Sequence, residues 1–396
     1  MARLKSNLRA LVSKVESTKG TAIALTPAND GKTRVRDLQM TLTAEQFARD
    51  LNRDSFDVVP HVMGSKSMTM SFAVELAGHT TGVSTEPDWS KYLAGCGFKS
   101  VATKRVTIGA VTGGPFQTGE TVTGAGGGTG TVVGDVTTGD PALFFVVGSG
   151  TITKAELLTG GTSGATATGS NTTILDAWSF YPTTDEDGDW ETLTMRAYMD
   201  GKYWDMYGAM GNVNFSFPYA DVALMNFEFS GIYSADTDGA NPTGITYVNK
   251  IPPTFKGVSF SLNGWDTAEF TEASLDLGNT VSLRQDANDA SGFSYGNVDS
   301  RAPTGSVNPD EVLKATFDLP AMLLGATQGP AEWTVGSVAG NRFRFHIPAL
   351  QITNLSPGSR NDVMTWDGSF ACTAGTHYGA TDNQLGTDNA FFIHSY

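Results

Sequence analysis

The stretch that decides the fold class is residues 190–233, WETLTMRAYMDGKYWDMYGAMGNVNFSFPYADVALMNFEFSGIY. Apolar and polar residues alternate within it in three runs, at 193–199, 213–217 and 225–229. Side chains on a strand point to opposite faces in turn, so each run predicts a strand with one apolar and one polar face. Asp200-Gly201 precedes a return strand at 203–207 and predicts a tight type I′ turn. The stretch therefore predicts an antiparallel sheet with one buried face and one wetted or partner-facing side.

The composition of the whole chain extends this β-sheet prediction. Of the 396 residues, 17% are charged, 40% are apolar and 46 residues are glycine. Sparse charge, abundant Gly and Thr and few long helical periods indicate an all-β, mainly antiparallel chain with many turns. The length predicts two or three domains, since compact domains mostly have about 100–200 residues.

Charge and hydropathy limit where the chain is expected to fold and what it is expected to bind. No stretch reaches the ~18–20 continuous apolar residues of a membrane-spanning helix, so we expect no membrane association. The N-terminus carries Arg3, Lys5 and Arg9 without an apolar segment behind them, so we expect no secretory signal and folding in a cytoplasm. The net charge of −15 argues against an electrostatic grip on nucleic acid, because affinity for phosphate comes mainly from Lys and Arg.

Patterns typical of catalysis or metal binding are missing from the sequence. A Ser nucleophile elbow, an HExxH motif and a phosphate-binding loop are absent. Among 41 Asp and Glu residues a carboxylate pair can always be nominated, so such a pair is no signal for a hydrolase. The histidines (His61, His79, His346, His377 and His394) lack metal-ligand spacing, and the acidic cluster Asp185, Glu186, Asp187 and Asp189 departs from the order of a calcium loop. We therefore expect no enzyme activity, no metal and no cofactor.

The N-terminal residues 1–20 show a helical pattern. Leu4, Leu8, Leu11, Val12 and Val15 fall on one helical face, with basic residues mostly elsewhere. We interpret the segment as a docking arm that orders on a neighbouring subunit, with Leu4, Leu8, Leu11 and Val15 as its contacts. The alternatives are a membrane-surface helix, a short helix that covers the sheet, or a flexible arm.

A long polar connection links the next two predicted strands. The strands lie at 38–42 and 68–76, and residues 44–66 between them carry Arg49, Asp50, Arg53, Asp54 and Asp57. Connections of this length without their own structure are uncommon and usually functional. Mixed charge favours a contact with another protein, and the alternative is a solvated loop.

A short amphipathic helix is predicted from Thr85 to Gly97. Thr85 and Asp88 form a capping box around Pro87, and Gly97 is placed to end the helix. Trp89, Tyr92, Leu93 and Cys96 form its apolar stripe. Because Cys96 lies on that stripe and Cys372 is remote in sequence, we predict two buried, unpaired thiols.

Residues 105–173 differ in composition and contain an internal repeat. Phe116, Glu120, Thr123, Gly124 and Gly128 recur as Ile152, Glu156, Thr159, Gly160 and Gly164. Gly marks the turns and Thr and Val fill the strands, so we predict an inserted β module with two related halves.

Beyond a linker at 236–253 the plan of the chain starts again. Strands are predicted at 258–262 and 273–277, followed by a long polar loop at 284–307, a strand and helical patch at 315–324, and strands at 343–347 and 363–372. Strand, long loop, strand, short helix, hairpin and strand thus occur twice, which predicts two tandem copies of one β domain.

This order resembles the phage tail tube family, in the long-tailed phage form with two tube domains in one chain. The likeness rests on Glu16-Ser17-Thr18-Lys19-Gly20, Pro87-Asp88-Trp89, Ala94-Gly95-Cys96-Gly97-Phe98, residues 206–233, Ser274-Leu275-Asp276-Leu277-Gly278-Asn279 and Arg301-Ala302-Pro303-Thr304-Gly305-Ser306. The resemblance implies two tandem sandwich-type, barrel-forming β domains, each with a short helix. Its domains would be an N-terminal arm (1–20), a first tube domain (21–104 and 174–235), an inserted module as external decoration (105–173), a linker (236–253) and a second tube domain (254–396).

The resemblance also implies a function and partners. Subunits would form rings with a β-barrel inner wall, and stacked rings would form a tube through which DNA passes without sequence-specific binding. Three chains would make a pseudo-sixfold ring, with six chains per ring as the alternative. The connections at 44–66 and 284–306 would contact the adjacent ring, the second through Arg284, Asp286, Asp289, Asp299 and Arg301. Tape measure and terminator proteins would be further partners, in a virion tail assembled in the host cytoplasm.

A different class of function is kept as the alternative. Gly/Thr repeats and many aromatic residues, among them Trp178, Trp204, Trp265, Trp333 and Trp366, are also typical of a carbohydrate- or receptor-binding, adhesin-like β protein. In a β protein, however, such tryptophans are more often core or rim residues. The two hypotheses differ in one expectation, since the adhesin is a soluble monomer and the tube subunit assembles.

Overall fold

The structure is a computed structural model that describes residues 8–49, 51–79, 83, 85–136, 142–170, 172–184, 190–373 and 390–396. Strands make up 54% of the chain and helices 4%, so the prediction of an all-β, mainly antiparallel fold is confirmed. The acidic cluster at 185–189 and His377 lie outside the described residues.

The elements follow one another in three stretches. The first contains β1 (Arg9–Val15), α1 (Pro27–Asp30), β2 (Arg36–Phe47), β3 (Val62–Glu75), α2 (Ser90–Ala94) and β4 (Phe98–Thr107). The second contains β5 (Thr121–Gly124), β6 (Thr129–Val132), β7 (Ala142–Val147), β8 (Leu157–Gly160), β9 (Thr166–Thr168), β10 (Leu175–Pro182), β11 (Leu193–Met199), β12 (Lys202–Phe217) and β13 (Leu224–Asp238). The third contains β14 (Ser259–Leu262), β15 (Phe270–Asp276), β16 (Asn279–Gln285), β17 (Phe293–Arg301), β18 (Thr304–Pro309), α3 (Leu319–Leu324), β19 (Gln328–Val335), β20 (Phe343–Arg360), β21 (Val363–Thr373) and β22 (Phe392–Ser395).

Eight of these strands form one continuous antiparallel layer, which we call the long sheet. Its order is β2-β3-β13-β12-β15-β18-β21-β20. The first four strands precede residue 239 and the last four follow residue 269. The two sets meet where Asn214 to Phe217 of β12 pair with Asp276 to Ala273 of β15, a contact that we call the internal joint.

The two sets of strands belong to halves with the same plan. In the first half, β1 pairs with β11, α2 follows β3, and the pair β11–β12 leads into β13. In the second half, β14 pairs with β19, α3 follows β18, and the pair β19–β20 leads into β21. By order and pairing, seven elements of the first half each have a counterpart in the second half. The counterparts of β1, β2, β3, α2, β11, β12 and β13 are, in the same order, β14, β15, β18, α3, β19, β20 and β21.

One apolar core lies under both halves. The inward face of the long sheet places Phe72, Phe215, Phe229 and Leu275 in it, each at most 3% exposed. The ring of Phe217 in the first half packs edge-on against Phe345 of the second half at 4.8 Å. Both cysteines are buried and free, as predicted. The turn at Asp200 and Gly201 has positive φ at both residues (35° and 98°), which confirms the predicted type I′ geometry.

The Gly/Thr-rich insert sits at the end of the β4–β10 hairpin and has its own apolar cluster, which includes Phe116, Val122, Phe145 and Leu158. Within it β5 pairs with β8 so that Thr123 lies opposite Thr159, its counterpart in the sequence repeat. The two repeats are thus related by an approximate twofold axis through this pair. The module is also fixed to the body, because β7 pairs with β4 and Phe144 stacks on His394 at 3.9 Å.

The predicted N-terminal helix is wrong, because residues 9–15 form strand β1. All seven residues of β1 pair with β11. Leu11 and Val12 are 2% and 0% exposed, so this part of the predicted arm is core of the first half. An unpaired edge on β11 offers the backbone seven ladder positions, and this tertiary contact overrides the local helical pattern.

Both long polar loops are shorter than predicted. Strands β2 and β3 continue to the pair Phe47–Val62, which leaves residues 48–61 as the connection. The segment at 284–307 is mostly strand, because β17 and β18 cover Phe293–Arg301 and Thr304–Pro309. Polarity misled the prediction here, since β17 has solvent on one side and packs over β12 on the other.

Three smaller predictions also need correction. Helix α2 starts at Ser90, and its N-cap residue Trp89 makes no side-chain capping bond, so Thr85 is not the cap. Residues 315–318 form no strand before α3. Strand β22 was not predicted, although it joins the two halves by pairing with both β10 and β20.

Candidate assembly interface

The first open edge of the long sheet is β2. Among the described strands β2 pairs with β3 alone, so its second row of N–H and C=O groups has no strand partner in this part of the chain. The strand is twelve residues long and its outer side chains, such as Gln39, Thr41 and Thr43, are exposed. A strand edge of this length is a ready template for pairing with another chain.

The second open edge is the C-terminal half of β20. Its residues up to Gln351 pair with β19 on one side, whereas residues 352–360 pair only with β21 among the described strands. Thr353, Asn354, Ser356 and Pro357 are exposed there. In the matching strand β12, the C-terminal residues Asn214 to Phe217 pair with β15 instead. The open edge of β20 is thus the counterpart of an edge that is filled in the first half.

The outward face of the long sheet is polar in rows that cross the strands. One row runs Ser71, Glu228, Asn212, a second Asn226, Asn214, Asp276, Thr304, and a third Ser216, Ser274, Ser306, Ser369. Asn212 and Asn214 donate to the carboxylate of Asp276 at 2.8 and 3.1 Å across the internal joint. Small hydroxyl and amide groups with a few carboxylates therefore line this face.

A hairpin arm extends from the sheet beside the first open edge. We call residues 42–66 the β2–β3 arm. Its exposed apolar residues are Leu42, Phe47, Leu51, Phe56, Val58, Val62 and Met63. The side chain of Phe56 is fully exposed and Val58 is 83% exposed. A cluster of large exposed apolar side chains is typical of a surface that binds another protein.

The predicted contact residues of this arm lie at its tip. Arg49, Arg53, Asp54 and Asp57 are exposed between β2 and β3, and Asp50 lies outside the described residues. The guanidinium of Arg53 donates to the carbonyl of Asp57 at 3.4 Å, and the Ser55 hydroxyl donates to the Asp57 carboxylate at 3.1 Å. These local bonds order the tip and leave its outer surface free for a partner.

The predicted contact residues of the second half lie on the β16–β17 hairpin. Arg284 donates to the Tyr295 hydroxyl at 2.7 Å, and Asp299 accepts from Ser282 at 2.9 Å. Asp286 and Asp289 hold the turn, and hydrogen bonds from the backbone N–H and hydroxyl of Ser291 lower the pKa of Asp289. Arg301 donates to the Thr183 carbonyl at 2.8 Å, so it links the hairpin to the first half.

This second hairpin is docked on the first half of the same chain. Asn279 at its base donates to the carbonyls of Cys96 and Gly211 at 2.8 and 2.9 Å. A Cβ on Gly296 would stand 3.0 Å from the Gly208 oxygen and the Met210 nitrogen, so the two backbones approach closely at this glycine. Val298 is 6% exposed. The hairpin is therefore packed, unlike the β2–β3 arm.

The N-terminal docking candidates divide between surface and core. Leu11 is buried in the core of the first half, Val15 is half-buried, and Leu8 is 47% exposed. Leu4 lies outside the described residues. Behind this strand, the buried carboxylate of Glu16 accepts from Thr194 at 2.8 Å and from the backbone N–H groups of Gly20 and Gly208 at 2.9 and 2.7 Å. Glu16 thus fixes the chain as it leaves β1.

The sequence reasoning missed the open edge of β20 and the apolar character of the arm. Leu51, Phe56 and Val58 stand within a charged loop, and this mixture was the available signal for a partner surface. Asn361 and Asp362, both with positive φ, make the tight turn between β20 and β21, and these residue types were a signal for a hairpin.

Other candidate sites contribute little to this surface. His79, His346 and His394 are at most 2% exposed, and the described residues hold no group of His, Cys, Asp or Glu arranged for a metal ion. Trp265 and Trp333 are buried, whereas Trp178, Trp204 and Trp366 are half-buried. In the described part of the chain no helix is long and apolar enough to cross a membrane.

No protein-family model and no curated protein matches this chain.

Proposed function

We propose that this chain is a structural subunit that assembles by edge pairing into closed rings, which stack into a hollow tube like the tail tube of a long-tailed phage. The observation that carries the proposal is the internal joint. It pairs the fourth strand of one set with the first strand of the next, and the matching edges, β20 and β2, are open at the two ends of the long sheet.

The same pairing between chains produces a closed assembly. When β2 of one copy pairs with β20 of the next as β15 pairs with β12, each chain adds two equivalent steps of a head-to-tail ring. A heterologous contact of this kind generates a ring if the rotation closes, and closure removes both exposed edges. Three chains per ring give pseudo-sixfold symmetry, and six chains are the alternative.

The polar face of the long sheet suits the inner wall of such a tube. Its rows consist of Ser, Thr and Asn with carboxylates at Glu228 and Asp276. Arg36 and Arg360 on the two edge strands are paired with Glu75 and Asp310. A wall of this chemistry repels phosphate groups, in keeping with the net charge of −15. We further propose that DNA passes through this tube and that tape measure and terminator proteins bind to it. The tube would be part of a virion tail.

Electron microscopy of the purified protein at rising concentration tests the assembly. We expect hollow rings or tubes, with the Gly/Thr-rich module projecting outward because it sits on the β4–β10 hairpin and not on the long sheet. Lysine at Thr353 and Ser356, both exposed on the open edge of β20, should abolish rings, since edge lysines block strand addition. Ser300→Lys on the exposed side of the docked hairpin is the control and should assemble.

A different outcome would support the alternative function. If the wild-type chain stays monomeric at every concentration and binds immobilised glycans, the proposal of a tube subunit is wrong and the adhesin hypothesis takes its place. If the double lysine variant forms the same rings as the wild type, the rings do not close through β20.

A further inference from the structure

The two short helices end in opposite environments. After α2, residues 95–98 are all buried, Cys96 is 0% exposed, and the Cys96 carbonyl accepts from Asn279 of the docked hairpin. After α3, residues 324–328 are all exposed, and Leu324 is 86% exposed. These helices hold matching places in the two halves. The end of α3 therefore lacks a cover that the end of α2 has.

The hairpin that covers the end of α2 continues from β15, the strand at the internal joint. The β16–β17 hairpin follows β15 in the chain and lies over β12 and β13 of the neighbouring set. It contacts Gly208, Met210 and Gly211 there. The strand in the first half that matches β15 is β2, and the hairpin that continues from β2 is the β2–β3 arm. The arm has the same origin as the docked hairpin and exposes apolar side chains along its length.

We infer that the β2–β3 arm of one chain covers the end of α3 and the adjoining part of β20 in a second copy within the same ring. The inference rests on the proposed edge pairing, because β2 beside β20 places the arm over that end of the second half. Leu324 and the exposed residues of β20 meet Phe47, Phe56 and Val58 of the arm. This contact is the one made inside the chain by the β16–β17 hairpin, repeated between chains.

The inference differs from the role that the tail tube resemblance implies. The resemblance assigns residues 44–66 to contacts with the adjacent ring, whereas the docked hairpin of this chain holds together two sets of strands in one layer. The arm thus belongs to ring closure, and stacking of rings uses other surfaces.

Deletion of the arm tip separates these roles. Replacement of residues 48–61 by Asn-Gly keeps the last arm pair, Phe47–Val62, and gives a type I′ turn. We expect the variant monomer to unfold at the wild-type denaturant midpoint and to form no closed rings at concentrations at which the wild type does. Single rings that fail to stack would overturn the inference and leave the edge-pairing proposal intact. Absence of rings in the wild type would overturn both.

Cross-linking tests the same contact without deletion. In the double variant Phe56→Cys and Leu324→Cys, a short bis-maleimide should link neighbouring chains into a ladder that stops at the number of chains in one ring. A ladder without an upper limit would place the arm on the adjacent ring and contradict the inference. Phe56→Cys with Val338→Cys is the control, because Val338 is 62% exposed on the β19–β20 connection, and it should stay unlinked. The native thiols Cys96 and Cys372 are buried and do not interfere.

Discussion

The two hairpins that leave the long sheet differ in what they touch, although they continue from matching strands. The β16–β17 hairpin is packed, with Val298 6% exposed and its backbone against Gly208 and Met210. The β2–β3 arm keeps Phe56 and Val58 in solvent. In the proposed ring a second chain covers the apolar surface of the arm, as the first half covers the β16–β17 hairpin within one chain. A contact with a neighbour in the same chain forms without association, whereas a contact with a second chain depends on the protein concentration.

The largest stability effect is expected at the internal joint itself. Leu275 of β15 is 0% exposed and lies opposite Phe215. Leu275→Ala should lower the free energy of unfolding by about 2–5 kcal/mol, since it removes buried surface and leaves a cavity. The matched change on the open edge, Leu42→Ala, alters a side chain that is 54% exposed and should cost under about 0.5 kcal/mol. Urea unfolding of the two monomeric variants measures both, and equal losses would contradict the comparison.

Acid should weaken the other contact between the halves, where β22 lies between β10 and β20. Burial, with the nearby charges of Arg344 and His346, holds the pKa of His394 well below 6.5, and burial also lowers the pKa of His79. The folded state binds protons at both rings less readily than the unfolded chain, which binds them as the pH falls below 6.5. Stability is therefore full above pH 6.5 and is lost below it, by up to about 1.4 kcal/mol per pH unit for each histidine.

Urea unfolding between pH 7.5 and 5.5 measures this loss. His394→Gln should reduce the slope by about one proton, or ~1.4 kcal/mol per pH unit. His61→Gln is the control for replacement of an imidazole ring, because His61 is exposed. A wild-type slope in the His394 variant would show that this ring does not set the acid response.

Removal of the hydrogen bonds at the base of the docked hairpin should have a smaller effect than Leu275→Ala. Asn279→Ala leaves the carbonyls of Cys96 and Gly211 without their donor and should cost about 1–3 kcal/mol. Asn288→Ala at the exposed tip of the same hairpin removes only local bonds to Asp286 and should cost under about 0.5 kcal/mol. Thermal unfolding compares them, and a neutral Asn279→Ala would mean that apolar packing alone holds the hairpin.

The smallest effect on the monomer belongs to the arm. Phe56→Ser changes a fully exposed side chain, so the unfolding midpoint should stay that of the wild type. The concentration needed for ring formation should rise about tenfold or more, which is the loss of about 1.4 kcal/mol of contact free energy. Light scattering against concentration records it. Unchanged assembly would remove Phe56 from the contact.

The sequence predicted the elements whose partners are near in the chain. Alternation at 193–199 and the Asp200-Gly201 turn predict β11 and its hairpin correctly. The return strand at 203–207 and the run at 213–217 are one continuous strand, β12, and the run at 225–229 lies in β13, which continues to Asp238 within the predicted linker. It failed where a distant partner decides the local structure. The helical pattern of Leu8, Leu11 and Val15 becomes strand β1 because β11 has an edge to fill, and polar residues 293–301 become β17 because β12 lies beneath them. Open edges were beyond prediction, since a free strand edge is a property of the sheet and not of its residues.

The way in which the Gly/Thr-rich module is attached to the body determines what another domain needs in order to replace it. The chain leaves the body at Arg105 and returns at Leu175, two residues that face each other across the β4–β10 ladder. Paired residues on antiparallel strands lie only about 5 Å apart, so a small domain whose termini are adjacent can be joined here without stretching the hairpin. It must also cover His394, on which Phe144 of the module stacks. Each chain thus has one site at which another domain can be attached, and an assembly of identical chains would display such domains at a fixed spacing.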